Sequence, residues 1–306
     1  MERVSSLFLC CLLSLLYACS SQSEHTNNRK KKVVATTGMV ADMARNVLGD
    51  LVDIQVLMGP GVDPHLYKAS QGDMNMLSKA DIILYSGLHL EGKMVEVLNK
   101  IGRNKPVLAI GDYVWENRLQ YAGDGSKTID PHVWMDPSSW IYGVDGVTDS
   151  LLKLFPNDTI VIGKNFRSYR DTLEKVNEEI FATIQSVPEK QRMLITSHDA
   201  FRYFGIVNNI EVHGLQGIST VSEYGLQDVS NMVNMLVSRK IKAVFVESSV
   251  SQKSLQAVIE GCESKGHRVS IGGTLFSDSM GKEGTPEGTY KGMLRHNART
   301  IAKALR

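Results

Sequence analysis

The chain has 306 residues, and Lys+Arg 34 against Asp+Glu 33 leaves a formal net charge of +1. So even a balance gives no global field that would point to nucleic acid or to a strongly acidic partner. The length suits one large domain or two of ordinary size, the 42% apolar content is that of a globular protein, and only the N-terminus holds a long apolar run, so no internal membrane span is expected.

Residues 1–18 read as an export signal, with Arg3 near the start and an apolar run from Leu7 to Leu16. That run is too short to span a bilayer comfortably, and small residues close it. Leu16-Tyr17-Ala18-Cys19 resembles a lipobox, which makes Cys19 a lipidation site; an ordinary signal peptide with an incidental cysteine is the alternative. Residues 19–32 form a polar tether ending in Arg29-Lys30-Lys31-Lys32, a composition that cannot bury a core and suits a flexible spacer at a membrane surface. Cys10 and Cys11 leave with the signal, so Cys262 has no partner and the exported domain is expected to fold without a disulfide.

From Lys32 short β-branched runs alternate with helix-period stretches, the pattern of βαβ units on parallel sheets. The first half, residues 33–157, gives strands at 33–37, 53–58, 82–86 and 107–110, with helices at 39–48, 71–79 and 93–101. Asp136 is the expected N-cap of a further helix, with Pro137 at its first position. Residues 158–187 differ. Ile162, Phe166, Tyr169, Leu173, Val176, Ile180 and Ile184 recur every three or four residues, which predicts one long amphipathic helix. The second half, residues 188–306, restarts with strands at 193–196, 210–213, 243–246 and 268–271 and helices at 226–239, 253–265 and 289–305. The expected fold class is therefore α/β: two αβ lobes with mainly parallel sheets, joined by one rigid helix.

Two tripeptides repeat, Asp63-Pro64-His65 and Asp130-Pro131-His132, the second opening the octapeptide Asp130 to Pro137. Proline stiffens the backbone on both sides of itself, so each histidine sits on a rigid stretch near a carboxylate that can orient it. His198 and Asp278 follow predicted strands in the second half, as His65 does in the first, and ligands of open α/β sheets gather at such strand ends. These four residues are far apart in sequence, so no local metal motif is present and the fold would have to assemble the set between the lobes. Three imidazoles and a carboxylate suit a borderline divalent ion: zinc accepts them in a tetrahedron, whereas manganese favours oxygen and higher coordination. Asp63, Asp130, Asp136 and Asp199 are candidate acceptors for the second imidazole nitrogens. Glu247 reads equally as such an acceptor or as a solvated strand end. His25, His89, His213, His267 and His296 read as solvated or structural, and Asp278 taken alone is no more than a loop acid.

Asp63-Pro64-His65, the octapeptide, Thr196-Ser197-His198-Asp199-Ala200-Phe201, and Gly217-Ile218-Ser219-Thr220 before Glu223 together resemble the TroA-like substrate-binding lipoproteins of bacterial zinc and manganese ABC transporters. The resemblance covers the chain beyond the tether. It implies two lobes around one long helix, metal ligands at His65, His132, His198 and Asp278, and a role in carrying the ion to a membrane permease, not an enzyme's role. Zinc or manganese is the implied cargo, with iron not distinguished from them. Manganese-dedicated members carry glutamate at the position of His198, which leans this set toward zinc or a zinc/manganese pair. Dedicated zinc members often have a histidine-rich loop before the octapeptide; Gln120 to Thr128 contains no histidine. The proline common after the family's glutamate is absent at Ser222-Glu223-Tyr224.

A lipid-anchored, extracytoplasmic, monomeric carrier is therefore expected, held at the outer face of the cytoplasmic membrane or in the periplasm. A zinc hydrolase is the rival, and a metal-containing adhesin or scaffold a third reading. Catalytic zinc usually keeps three protein ligands and an open water position, whereas a fourth donor closes the shell. Two mechanical expectations follow from one long helix and three histidines: opening between lobes is limited, and acid releases the ion.

Overall fold

Short apolar runs alternate with helices from Lys31 onward, and every strand pair they form is parallel. The computed structural model describes residues 29–306 apart from Asp124; the expected export signal, Cys19 and His25 lie outside the described residues. Residues Lys31–Arg306 make one compact unit. In the first half β1 (Lys31–Ala35), β2 (Val52–Val56), β3 (Ile82–Tyr85) and β4 (Val107–Ala109) form a sheet of order β2-β1-β3-β4. Val33 pairs with Ile54 on one side and Ile82 on the other, so β1 is central and its Val33, Val34 and Ala35 are buried. In the second half β5 (Met193–His198) pairs with β6 (Glu211–Gln216), and β7 (Ala243–Glu247) with β8 (Ser270–Leu275). Strand β5 runs beside β7, but the two pairs are separate ladders.

Several helices start where a side chain satisfies a free N–H group. Thr37 caps α1 (Gly38–Leu48), and Ser70 and Asp73 form a reciprocal capping box on α2 (Gln71–Lys79). Helix α3 (Val95–Gly102) follows. Asp136 caps α4 (Pro137–Leu154), accepting from the Ser138 N–H at 2.8 Å, with Pro137 at the first position as the sequence predicts. Helices α2 and α3 cover one face of the first sheet, where Leu77, Ile83, Met94 and Leu98 close a small core. In the second half α6 (Arg202–Asn208) is a short turn of helix, and α7 (Leu226–Arg239) and α8 (Lys253–Ser264) bury Met232, Leu236, Val258 and Cys262 against β5 and β7. Cys262 is a buried free thiol.

The main core lies between the halves. Helix α5 (Thr159–Gln185) spans 27 residues, about 40 Å at the usual rise. All seven stripe residues, Ile162 to Ile184, are buried. They pack against α1 and α4 from the first half and against α6 and α9 (Tyr290–Leu305) from the second. The stripe therefore joins the two α/β halves through one continuous apolar layer.

Two expectations need correction. The last strand is expected at 268–271, before Gly272-Gly273, but β8 runs through both glycines to Leu275. Glycine is read there as punctuation; its use is close approach. A Cβ on Gly272 would sit 2.8 Å from Ala304 Cβ, and Gly273 has φ 151 and faces Thr300, so the pair lets α9 lie against the strand. His213 is not at a strand end but inside β6, opposite Ile195.

Candidate metal centre

Four loop-borne or strand-end residues converge between the halves. The break Gly59-Pro60-Gly61 after β2 turns the chain toward His65. His132 opens a short 3-10 turn, Val133–Met135, ahead of α4. His198 is the last residue of β5, and Asp278 lies three residues beyond β8. One donor atom from each falls within 4.8 Å of the others, and all four residues are buried. The His65 and His132 Nε2 atoms are 3.3 Å apart. Asp278 turns both oxygens inward: Oδ1 lies 3.3 Å from His132 Nε2, and Oδ2 lies 3.2 Å from His198 Nε2 and 3.7 Å from His65 Nε2. Donors about 2.0–2.2 Å from a central zinc ion are separated by about 3.3–3.6 Å in a tetrahedron. Two of these separations, both 3.3 Å, sit at that edge length and the other two, 3.2 and 3.7 Å, lie just outside it, while the second Asp278 oxygen offers the extra contact that a larger oxygen-preferring ion takes.

Two carboxylates aim the imidazoles. Asp130 Oδ1 accepts from the His132 backbone N–H at 2.9 Å and lies 2.6 Å from its Nδ1. Glu247, at the end of β7, repeats the device: Oε1 accepts the His198 backbone N–H at 2.9 Å, and Oε2 lies 2.6 Å from Nδ1, off the ideal N–H direction. With Nδ1 committed outward, each Nε2 presents its lone pair to the cluster. The other three acids have different partners. Asp63 accepts from the His65 backbone N–H at 2.9 Å and from the Thr220 hydroxyl at 2.6 Å. Asp136 caps α4 and accepts from the Ser139 hydroxyl at 2.6 Å. Asp199 pairs with Arg202. Expecting these three beside imidazole nitrogens is therefore corrected: Asp63 and Asp136 take nearby backbone N–H and hydroxyl groups, and Asp199 takes the guanidinium of Arg202.

In the cluster burial and neighbouring charge act in opposite directions. Burial pushes the His65 imidazole down to about 3. Burial acts downward on His132 as well, but Asp130 and Asp278 outweigh it and hold that imidazole at about 9. His198 is raised well above the usual range because Glu247 and Asp278 overcome its burial. Burial would raise Asp278, but His198 and His132 hold it well below the carboxylate range. Neither Asp278 oxygen nor His198 Nε2 has a hydrogen-bond partner, although all are sealed from solvent. Buried polar atoms without partners are costly, and converging lone pairs of this kind suit a cation.

A cavity of about 540 Å³ adjoins the cluster, with His65, His89, His213, Asp199 and Arg202 among its lining residues. His65 is thus the histidine of the cluster that meets open space. His267 and His296 instead bond to the carbonyls of Ile241 and Thr274. Sequence reasoning missed Trp134, Thr220, Ser279 and Tyr290. Trp134 and Thr220 stand inside the quoted motifs, where only their polar groups offer a signal; Ser279 and Tyr290 offer none.

Fold and cluster define a class: a two-lobed α/β protein able to enclose one small cation between its halves. A family model described as "Zinc-uptake complex component A periplasmic" (ZnuA) matches residues 33–304. The manganese-binding lipoprotein MntA of Bacillus subtilis is 53% identical over 274 residues, covering 90% of this chain and 89% of that protein. The zinc-binding protein TroA of Treponema pallidum is 44% identical over 274 residues, covering 89% and 88%. The solved structure of the periplasmic zinc-binding TroA superposes with a TM-score of 0.87 at 43% identity, covering 90% of this chain and 99% of that one. The chain belongs to the ZnuA family.

Proposed function

We propose that the protein captures a divalent transition metal, zinc or manganese, outside the cytoplasm and delivers it to the permease of an ABC transporter. His65, His132, His198 and Asp278 are the ligands, Asp130 and Glu247 orient two of them, and Cys19 carries the lipid that holds a monomer at the membrane. Residues 33–157 and 188–306 act as the lobes and residues 158–187 as the connector. The single observation behind this reading is the set of four buried donors, two from each half, among which both Asp278 oxygens and His198 Nε2 have no hydrogen-bond partner. Relatives named for manganese and for zinc both stand close to this chain, and the donor set suits both ions. Among the described residues no helix is long and apolar enough to cross a membrane, which agrees with a partner supplying the pore.

A carrier fits better than a zinc hydrolase. Four protein donors leave no open position for a water nucleophile, and the nearest carboxylates, Asp130 and Glu247, already face imidazole Nδ1 atoms. The test is to strip the purified protein of metal and titrate zinc and manganese while following its melting. At about 1,000 times the dissociation constant a bound ion adds about 4 kcal/mol. The reading fails if no divalent ion raises the melting temperature. Retained lipid on wild-type protein and its loss in Cys19→Ser check the anchor, and gel filtration checks the monomer.

A further inference from the structure

Asp278 lacks a support that two of its neighbours have. His132 and His198 are each steadied by a carboxylate, whereas neither Asp278 oxygen receives a hydrogen bond. Beyond its ion pairs with His132 and His198, its orientation depends on the backbone that carries it. Phe276 is held at both its N–H and its carbonyl by Asn297 of α9. The next carbonyl, that of Ser277, accepts from the Trp134 indole N–H at 2.9 Å. Trp134 lies two residues beyond His132, and its ring meets that imidazole edge-on with centroids 5.2 Å apart. On its other side the Trp134 carbonyl accepts from the hydroxyl of Tyr290, in the first turn of α9. Trp134 and Tyr290 are both fully buried.

We propose that Trp134 is a positioning residue that crosses from one lobe to the other and sets Asp278 against His132. This rests on the carrier reading and adds to it how the first lobe's fixed ligand and the second lobe's acid keep their spacing. The indole N–H pins the peptide next to Asp278, the ring backs His132, and Tyr290 stops the tryptophan from retreating. The 3.3 Å separation of His132 Nε2 and Asp278 Oδ1 is thereby held from behind, before any ion arrives. The clasp lies within the main core, away from the cavity beside His65, so the acid and His132 form the immobile side of the site.

The experiment is a double-mutant cycle on zinc affinity, read by competition with a chromophoric chelator. Trp134→Phe keeps an aromatic ring against His132 and removes the N–H. Combined with Asp278→Asn, it separates an effect through the acid from an effect on the fold. Trp134→Phe should weaken zinc about tenfold in the wild-type background, the usual scale for an outer partner of a ligand. In the Asp278→Asn background it should change affinity less than about twofold. Equal losses in both backgrounds, or no loss in either, overturn the proposal. Should Trp134→Phe fail to fold, Tyr290→Phe removes one hydroxyl from the same clasp and should give the same pattern. A wild-type protein that binds neither zinc nor manganese defeats the carrier reading itself, a result distinct from wild-type binding with no effect of the variants.

Discussion

Asp130 and Glu247 each place an oxygen 2.6 Å from the Nδ1 of a histidine, and that contact sets both direction and basicity of the imidazole. Glu247→Gln keeps the shape and removes the charge. It should weaken zinc about 10–100-fold, measured by chelator competition; wild-type affinity in this variant would refute the orienting role. The same carboxylates shift the pH window. A metal binds only neutral imidazole, so affinity should decline as pH falls through about 9, where His132 takes its proton, well above the ordinary 6.5. Binding should release protons near neutral pH, since His132 is held at about 9 and His198 is raised too. Calorimetry in buffers of different ionisation enthalpy reads this directly, and a buffer-independent heat would contradict it. Stability of the metal-free protein follows by linkage. His132 and His198 are raised, so their contribution is complete below 6.5 and is lost as pH rises, for His132 through about 9. His65 is depressed to about 3, so its contribution is present above 6.5 and is lost as pH falls toward 3. The metal-free melting temperature should therefore peak near the ordinary histidine range, and a monotonic rise from about pH 5 to 9 would show the coupling to be misassigned.

Helix α5 is the element on which the two halves depend. Its stripe is continuous, Leu173, Val176 and Ile162 within it are fully buried, and the helix packs against helices of both halves. Leu173→Ala leaves a cavity in that layer and should cost about 2–5 kcal/mol, measured by denaturant unfolding. The cost should appear as one cooperative transition, because the core is shared; two separated transitions would mean that the halves unfold independently. Strand β8 carries a different lesson. Its two glycines lower strand propensity, yet they are what allows α9 to approach, and α9 brings Asn297 to the Phe276 backbone and Tyr290 to the Trp134 carbonyl.

For the whole molecule, the contacts between halves limit how the site can open. On the His65 side the lobes meet through the Asp63–Thr220 hydrogen bond at 2.6 Å and the Gly61 N–H to Ser279 Oγ bond at 3.0 Å. Behind the site lie the Trp134 clasp and the apolar layer along α5. Breaking the first pair frees the His65 loop; separating the lobes would expose the core. Scattering curves with and without metal should therefore nearly superpose, with a change in radius of gyration of less than about 1 Å. A closure of many degrees on metal binding would contradict a rigid connector.

Period and punctuation make much of this protein legible in its residue order. The stripe from Ile162 to Ile184 is a local property of one helix, and Asp136-Pro137 is a local start signal, so both can be read from residue types and spacing alone. His65 and His132 declare themselves because the chain repeats Asp-Pro-His. His198 and Asp278 are weaker signals, since their meaning depends on where strands β5 and β8 end. The partners of the acids are not legible. Asp130 and Asp63 stand in the same tripeptide, yet one faces an imidazole nitrogen and the other a threonine from the opposite lobe. Glu247 stays ambiguous until β7 is set beside β5. Sequence by itself determined the elements and the kinds of donor, because propensity, capping and backbone stiffness act within a few residues. Only the tertiary structure decided which charges meet, because pairing across lobes depends on packing that no local spacing encodes.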